Sequence, residues 1–134
     1  MTAQTVAVTN ITRGTVVAWR LKLATTFLSR LRGLLFTAGL AEGEGLLISP
    51  CWAIHTFGMT YPIAAVFLDQ EKRVCRVDDY LPPGRIAVCR SAASVIELPA
   101  GQAVKSRVIL GDTLEIKEID GNLAKQVWEN AEVI

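Results

Sequence analysis

Alternating apolar and polar residues dominate this chain and predict a succession of short strands. Between Val17 and Leu23 every odd-numbered residue is apolar, whereas Arg20 and Lys22 face the other way, as in a strand with one buried face. A shorter alternating segment precedes this run, and Gly14 lies in the turn between them, where glycine accepts a positive φ. The pattern predicts an N-terminal hairpin over residues 4–23.

The middle of the chain carries further strand patterns, separated by glycine- and proline-containing turns. Ile63–Leu68 is apolar at every position, which is typical of a central strand covered on both faces. The polar segment Asp69–Lys72 predicts the turn into the following strand, and Pro99–Gly101 ends a later one. The predicted strands in this region cover residues 45–49, 53–57, 63–69, 73–78, 94–98 and 113–119.

Helical spacing of apolar residues occurs at two places. Thr25 or Thr26 is a favourable N-cap for a leucine-rich segment, which predicts a short helix near residues 25–33. Near the C-terminus an apolar stripe that includes Trp128 predicts a second helix over about residues 121–131. The apolar face of this second helix would serve as a docking face in a larger assembly.

Length and composition limit the architecture further. With 134 residues, of which 51% are hydrophobic, the chain has enough material for one packed core and is not intrinsically disordered. Frequent short strands, tight turns and few helices predict an α+β, mostly β fold. We expect a compact, barrel-like antiparallel or mixed sheet that forms a single domain over residues 1–134.

Charge and cysteine content narrow the choice of partner and compartment. Fourteen basic and thirteen acidic residues leave a net charge of +1, which gives no electrostatic reason for binding nucleic acid or an anionic membrane. No apolar run approaches the roughly 18 residues that span a bilayer, and no signal-peptide pattern is visible. Cys51, Cys75 and Cys89 form an odd set, which suits a reduced, cytoplasmic protein better than a disulfide framework.

Several short motifs occur in a fixed order along the chain. They are Arg30-Leu31-Arg32-Gly33-Leu34-Leu35-Phe36, Glu44-Gly45-Leu46-Leu47, His55-Thr56-Phe57-Gly58-Met59, Pro62-Ile63, Phe67-Leu68-Asp69, Glu97-Leu98-Pro99-Ala100-Gly101 and Gly111-Asp112. Together they resemble DUF192, a family of small prokaryotic proteins of unknown function. The resemblance covers about residues 21–117 and implies a mostly-β, barrel-like α+β domain with no assigned reaction. One position departs from the family pattern, because Ala64 stands where an acidic residue commonly follows Pro-Ile.

His55, the only histidine, is the first candidate for a functional residue. On an extended segment it shares a face with Phe57 and Met59, which places the imidazole among apolar neighbours. It is then either a core or pocket-wall histidine bonded to the main chain, or a ligand contact or proton carrier. We expect a small ligand pocket formed by His55, Met59, Trp52 and Arg30.

The cysteines suggest two chemistries that their spacing does not favour. Cys51 lies close enough to His55 to form a nucleophilic pair, yet no orienting carboxylate or amide is adjacent. Cys51 and His55 together with Cys75 and Cys89 supply the three cysteines and one histidine that hold some structural zinc ions, but no two of the cysteines are closely spaced. We therefore predict no metal site, no catalytic set and no cofactor.

Glu97 lies in a strand that is otherwise apolar. An unpaired charge buried there would destabilise the folded protein by several kcal/mol, about as much as removing one partner of a buried ion pair. A guanidinium satisfies a carboxylate with two parallel hydrogen bonds, so we predict a structural ion pair between Arg30 and Glu97. In the alternative, Arg30 or Arg32 faces a cleft and binds an anionic ligand.

Three functions are compatible with these residues. The first is a non-enzymatic accessory domain that binds a small molecule or a protein near His55. The second is a small enzyme that uses His55 with Cys51, or an arginine, on a small metabolite. The third is a subunit that docks through the C-terminal helix. Because no complete catalytic set is visible in the sequence, we favour the first.

Overall fold

Strands dominate the computed structural model, which describes residues 5–25 and 39–118. The mostly-β prediction is therefore confirmed. The helices predicted near residues 25–33 and 121–131 fall on residues outside the described ranges. In chain order the elements are β1 (Thr5–Asn10), β2 (Thr15–Ala24), β3 (Glu44–Ile48), β4 (Ala53–His55), β5 (Ile63–Leu68), β6 (Val74–Leu81), β7 (Ile86–Val88), β8 (Ser94–Pro99), α1 (Gln102–Lys105) and β9 (Leu114–Glu118).

Seven strands form one mixed sheet in the order β6-β5-β8-β3-β2-β1-β9. Within it β2 and β3 are parallel, and the other neighbouring strands, including the β1–β2 hairpin, are antiparallel. The sheet curls until its two edges meet, because the Val74 N–H donates to the Asp112 carbonyl at 2.8 Å and the Leu114 N–H donates to the Lys72 carbonyl at 2.9 Å. The predicted barrel-like, mixed sheet is thus confirmed.

The central strand β5 is buried along its whole length, as its uninterrupted apolar sequence predicts. Its even-numbered residues, from Ala64 to Leu68, belong to a core cluster that includes residues of β1, β2 and α1. Its odd-numbered residues, from Ile63 to Phe67, belong to a second cluster that includes residues of β4 and β7. Ala64 is 0% exposed, so an acidic side chain at this position would lie in an apolar interior.

A second, two-stranded sheet is formed by β4 and β7. Ile54 and Ala87 pack from it into the second core cluster, and the Arg76 side chain ties it to the large sheet by donating to the Val88 carbonyl at 2.8 Å. The sequence analysis missed β7, which has only three residues. Among the described residues, no helix has the length and hydrophobicity needed to cross a membrane.

Candidate functional site

The outward side of the β4–β7 sheet is formed by residues of both strands. Ala53 lies opposite Val88, and His55 lies opposite Ile86. Both pairs project outward, because the intervening Ile54–Ala87 pair is buried and successive side chains of a strand alternate in direction. We call this surface the β4–β7 face; it consists of Ala53, His55, Ile86 and Val88, with Trp52 and Phe57 at its border.

Large apolar side chains on this face are open to solvent. Ile86 is 62% exposed, Trp52 and Phe57 are each 51% exposed, and Val88 is 38% exposed. Isolated exposed apolar residues are common, but a contiguous group of them is typical of an interaction site. Opposite residues of the two strands are direct neighbours, and Phe57 stacks on His55, so Ile86, Val88 and Phe57 belong to one contiguous group around His55.

His55 is exposed, so a position in the core, one of the alternatives left open by the sequence, is excluded. Its ring stacks on Phe57 with 5.6 Å between the ring centroids, and its Nδ1 accepts a hydrogen bond from the Phe57 N–H at 3.3 Å. With Nδ1 as the acceptor, a neutral imidazole carries its proton on Nε2. His55 thus presents a hydrogen-bond donor within an otherwise apolar face.

Met59 does not share this surface, contrary to the expected grouping with His55. The chain turns at Gly58, where φ is +83°, so the alternation of side chains does not continue past Phe57. Met59 is only 9% exposed and packs in the second core cluster. Of the residues predicted to line a pocket, Trp52 and His55 are both exposed and lie three residues apart in sequence, and Arg30 lies outside the described residues.

The structure does not assemble a pair between Cys51 and His55. The Cys51 thiol donates to the Ala53 carbonyl at 3.2 Å, whereas the ring contact and the side-chain hydrogen bond of His55 are both with Phe57. Within residues 5–25 and 39–118, no group of three His, Cys, Asp or Glu side chains is arranged to hold a metal ion.

Glu97 is buried at 4% exposure in the middle of β8. It lies between Leu46 of β3 and Ala65 of β5, both apolar, and its Oε2 has no hydrogen-bond partner among the described residues. Burial raises the pKa of Glu97 to about 7. Arg30 lies outside the described residues, so the Arg30–Glu97 ion pair stays a prediction.

The pH dependence of stability distinguishes a desolvated Glu97 from a paired one. Since burial raises its folded-state pKa from 4.5 to about 7, the stability it contributes is complete below pH 4.5 and is lost as the pH rises through 7. The loss is about 3 kcal/mol, at roughly 1.4 kcal/mol per pKa unit. We expect the unfolding free energy of the wild type, relative to Glu97→Gln, to fall by this amount between pH 4.5 and 8 in urea titrations.

An ion pair with Arg30 would give the opposite trend. A partner cation lowers the pKa of a carboxyl, so the wild type would gain stability relative to Glu97→Gln as the pH rises. Glu115→Gln is the matched control, because Glu115 is exposed on β9. A flat or rising difference for Glu97→Gln would contradict the desolvated carboxyl.

A buried polar cluster that the sequence analysis missed joins the β1–β2 turn to the segment before β9. Asp112, 1% exposed, accepts hydrogen bonds from Asn10 Nδ2 at 2.9 Å, Arg13 Nε at 3.1 Å and the Ile109 N–H at 3.0 Å. Burial alone raises the pKa of Asp112, but these hydrogen bonds outweigh it and lower the pKa below its ordinary value. Asn10 and Arg13 lie 102 and 99 residues from Asp112 in sequence, so no local pattern could reveal these two partners.

The described residues therefore define a mostly-β, barrel-like domain that carries a small accessory sheet with an exposed apolar face. The sequence matches the profile of DUF192, described as an uncharacterised ACR, over residues 8–116. The chain belongs to this family, which confirms the resemblance and extends it into the N-terminal hairpin. No curated protein matches the sequence.

Two solved structures share this fold. A crystal structure of a protein of unknown function from Novosphingobium aromaticivorans DSM 12444 has a TM-score of 0.72 and 23% sequence identity, and the match covers 83% of each chain. A crystal structure of a candidate transcription regulator from Sinorhizobium meliloti 1021 has a TM-score of 0.74 and 21% identity, and covers 85% of this chain and 93% of that chain. At these identities the similarity shows the fold alone.

Proposed function

We propose that this protein is a non-enzymatic binding module whose β4–β7 face holds an extended, apolar segment of a partner protein. The observation that carries the proposal is the contiguous group of exposed apolar side chains around His55. Small-molecule sites enclose most of their ligand, whereas the aromatic side chains of this face are half exposed. An open face of this kind favours a peptide segment over a small ligand.

The main chain of β4 supports the same proposal. The Cys89 N–H donates to the Trp52 carbonyl at 2.9 Å, and the Thr56 N–H donates to the Arg85 carbonyl at 2.8 Å. Trp52 and Thr56 therefore belong to hydrogen-bonded pairs of the ladder. Hydrogen-bonded and non-hydrogen-bonded pairs alternate along an antiparallel ladder, so His55, which directly precedes Thr56, directs its own N–H and carbonyl away from β7. Because β4 pairs only with β7 among the described strands, this edge is open to an added strand.

Two arginines indicate the charge of the partner. Arg85 and Arg90 flank β7, both are exposed, and neither forms an ion pair within the described residues. A guanidinium binds a carboxylate through paired hydrogen bonds. We infer that the bound segment alternates apolar and polar residues and carries acidic residues near its ends. The odd number of cysteines, three in the chain, supports a reducing compartment, and we place this binding in the cytoplasm.

A peptide-display selection tests this proposal directly. Random heptapeptides are selected on the full chain, and the enriched peptides are titrated against the wild type, Ile86→Lys and Ile109→Lys. Ile109 is 51% exposed and lies outside the β4–β7 face, so it is a matched control. We expect alternating apolar peptides with acidic ends, which Ile86→Lys binds at least about tenfold more weakly because a lysine occupies the centre of the face.

Stability separates loss of binding from loss of folding. Both substitutions are at exposed positions, so each should change the unfolding free energy by no more than about 0.5 kcal/mol. Failure to enrich any peptide would contradict the proposal. Equal binding to the wild type and Ile86→Lys would also contradict it, because the peptide would then lie elsewhere on the molecule.

A further inference from the structure

Two of the three cysteines lie next to each other in the fold. Cys75 is on β6 and Cys89 directly follows β7. The Cys89 Sγ lies 3.8 Å from the Cys75 carbonyl oxygen and 3.4 Å from the Ser91 Oγ. Both cysteines are partly accessible to solvent. Arg76, which follows Cys75, donates a hydrogen bond to the carbonyl of Val88, which precedes Cys89, at 2.8 Å, and so holds the two segments together.

We propose that Cys75 and Cys89 are a redox modification site, which forms an intramolecular disulfide by exchange with a low-molecular-weight disulfide. A covalent bond here would fix β7 against β6, and with it the position of the β4–β7 face. The inference does not depend on what that face binds, since it concerns the thiol chemistry alone. Cys51 takes no part in it.

The surroundings of the two thiols assign their roles. The hydrogen bond with Ser91 is the main cause that lowers the pKa of Cys89, and the contact with Cys75 contributes in the same direction. Burial, followed by the hydrogen bond with Cys89, raises the pKa of Cys75 to about 11. The thiolate is the attacking form of cysteine. Cys89 is therefore the thiol that reacts first, and Cys75 resolves the intermediate.

The exchange is balanced in atoms and electrons. The Cys89 thiolate attacks one sulfur of the external disulfide, which breaks its S–S bond, forms a mixed disulfide on Cys89 and releases one thiolate. Cys75 loses its proton to solvent and attacks the Cys89 sulfur, which forms the Cys75–Cys89 bond and releases the second thiolate. The protein is oxidised by two electrons, and the external disulfide is reduced to two thiols.

Oxidation of the purified chain with glutathione disulfide tests the proposal. After alkylation of the remaining thiols and digestion with trypsin, the wild type should yield Val74–Arg76 linked to Ile86–Arg90, and Cys51 should be alkylated. Cys51→Ser should form the same link. Cys75→Ser should stop at the mixed disulfide on Cys89, whereas Cys89→Ser should react at least about tenfold more slowly, since it lacks the first nucleophile.

The melting temperature gives a second readout on the same samples. Closing a loop of this size restricts the unfolded chain, so the oxidised wild type should melt about 5 °C or more above the reduced protein. A link that includes Cys51, or a wild type that retains glutathione on Cys89 without forming the internal bond, would overturn the proposal. Unreacted thiols in excess glutathione disulfide would overturn it equally.

Discussion

Replacement of Gly45 by alanine is expected to destabilise the protein by about 3 kcal/mol, which is the upper range for adding one methyl group to a packed core. A Cβ on Gly45 would lie 2.2 Å from the Glu97 carbonyl oxygen and 2.7 Å from Leu21 Cδ2. The first of these atoms is main chain, so it cannot move aside without disturbing the contact between β3 and β8. Urea denaturation with linear extrapolation measures the loss.

Gly39→Ala is the matched control for this prediction. Among the described residues no atom lies within 4 Å of the position its Cβ would occupy, and its φ is not positive. Alanine also reduces the entropy of the unfolded chain, so we expect the unfolding free energy to stay within about 0.5 kcal/mol of the wild type or to rise. If Gly39→Ala and Gly45→Ala lowered the unfolding free energy equally, the close approach of β8 would not be the reason that β3 requires glycine at position 45.

The second large effect is expected for Asp112→Ala, at about 3 kcal/mol, because the change leaves buried donors without an acceptor. Asn10 Nδ2 and the Ile109 N–H both donate to this carboxylate, and alanine satisfies neither. Glu115→Ala is the control, because Glu115 forms an exposed ion pair with Lys117 at 3.2 Å, and such pairs contribute about 1 kcal/mol or less.

The contribution of Asp112 to the unfolding free energy should also depend on pH in the acid range. Hydrogen bonds lower the folded-state pKa of Asp112 below its ordinary value of 3.8, so its contribution is present above pH 3.8 and is lost as the pH falls further. The difference between the wild type and Asp112→Asn should therefore shrink in acid. A difference that stays constant from pH 6 to pH 2.5 would contradict the proposed charge on Asp112.

The sequence predicted the elements whose pattern is long and regular. The continuous apolar run of β5 identified a central strand, and the alternation in β2 identified a hairpin strand. Both could be predicted because a strand face that is buried requires apolar side chains at every position of that face. The parallel pairing of β2 with β3 could not be predicted from the sequence. It depends on how the chain between the two strands crosses the sheet, and no local pattern specifies that path.

The candidate site was harder to predict for a different reason. The grouping of His55 with Met59 assumed an extended chain, but the turn at Gly58 interrupts the alternation. The other half of the face comes from β7, whose three residues are too few to establish a period. Glu97 was singled out correctly as a carboxylate in an apolar strand, because a single charge in such a strand is visible in the sequence alone.

One measurement tests the central claim, that the β4–β7 face is the binding surface, most directly. The selected peptide is titrated into the ¹⁵N-labelled protein, and amide chemical shifts and hydrogen exchange are recorded. Strand addition at the free edge of β4 predicts that the largest changes occur at Ala53 and His55, and that the His55 amide becomes protected from exchange. Changes concentrated around Ile109 and Leu110, with an unprotected His55 amide, would contradict the account.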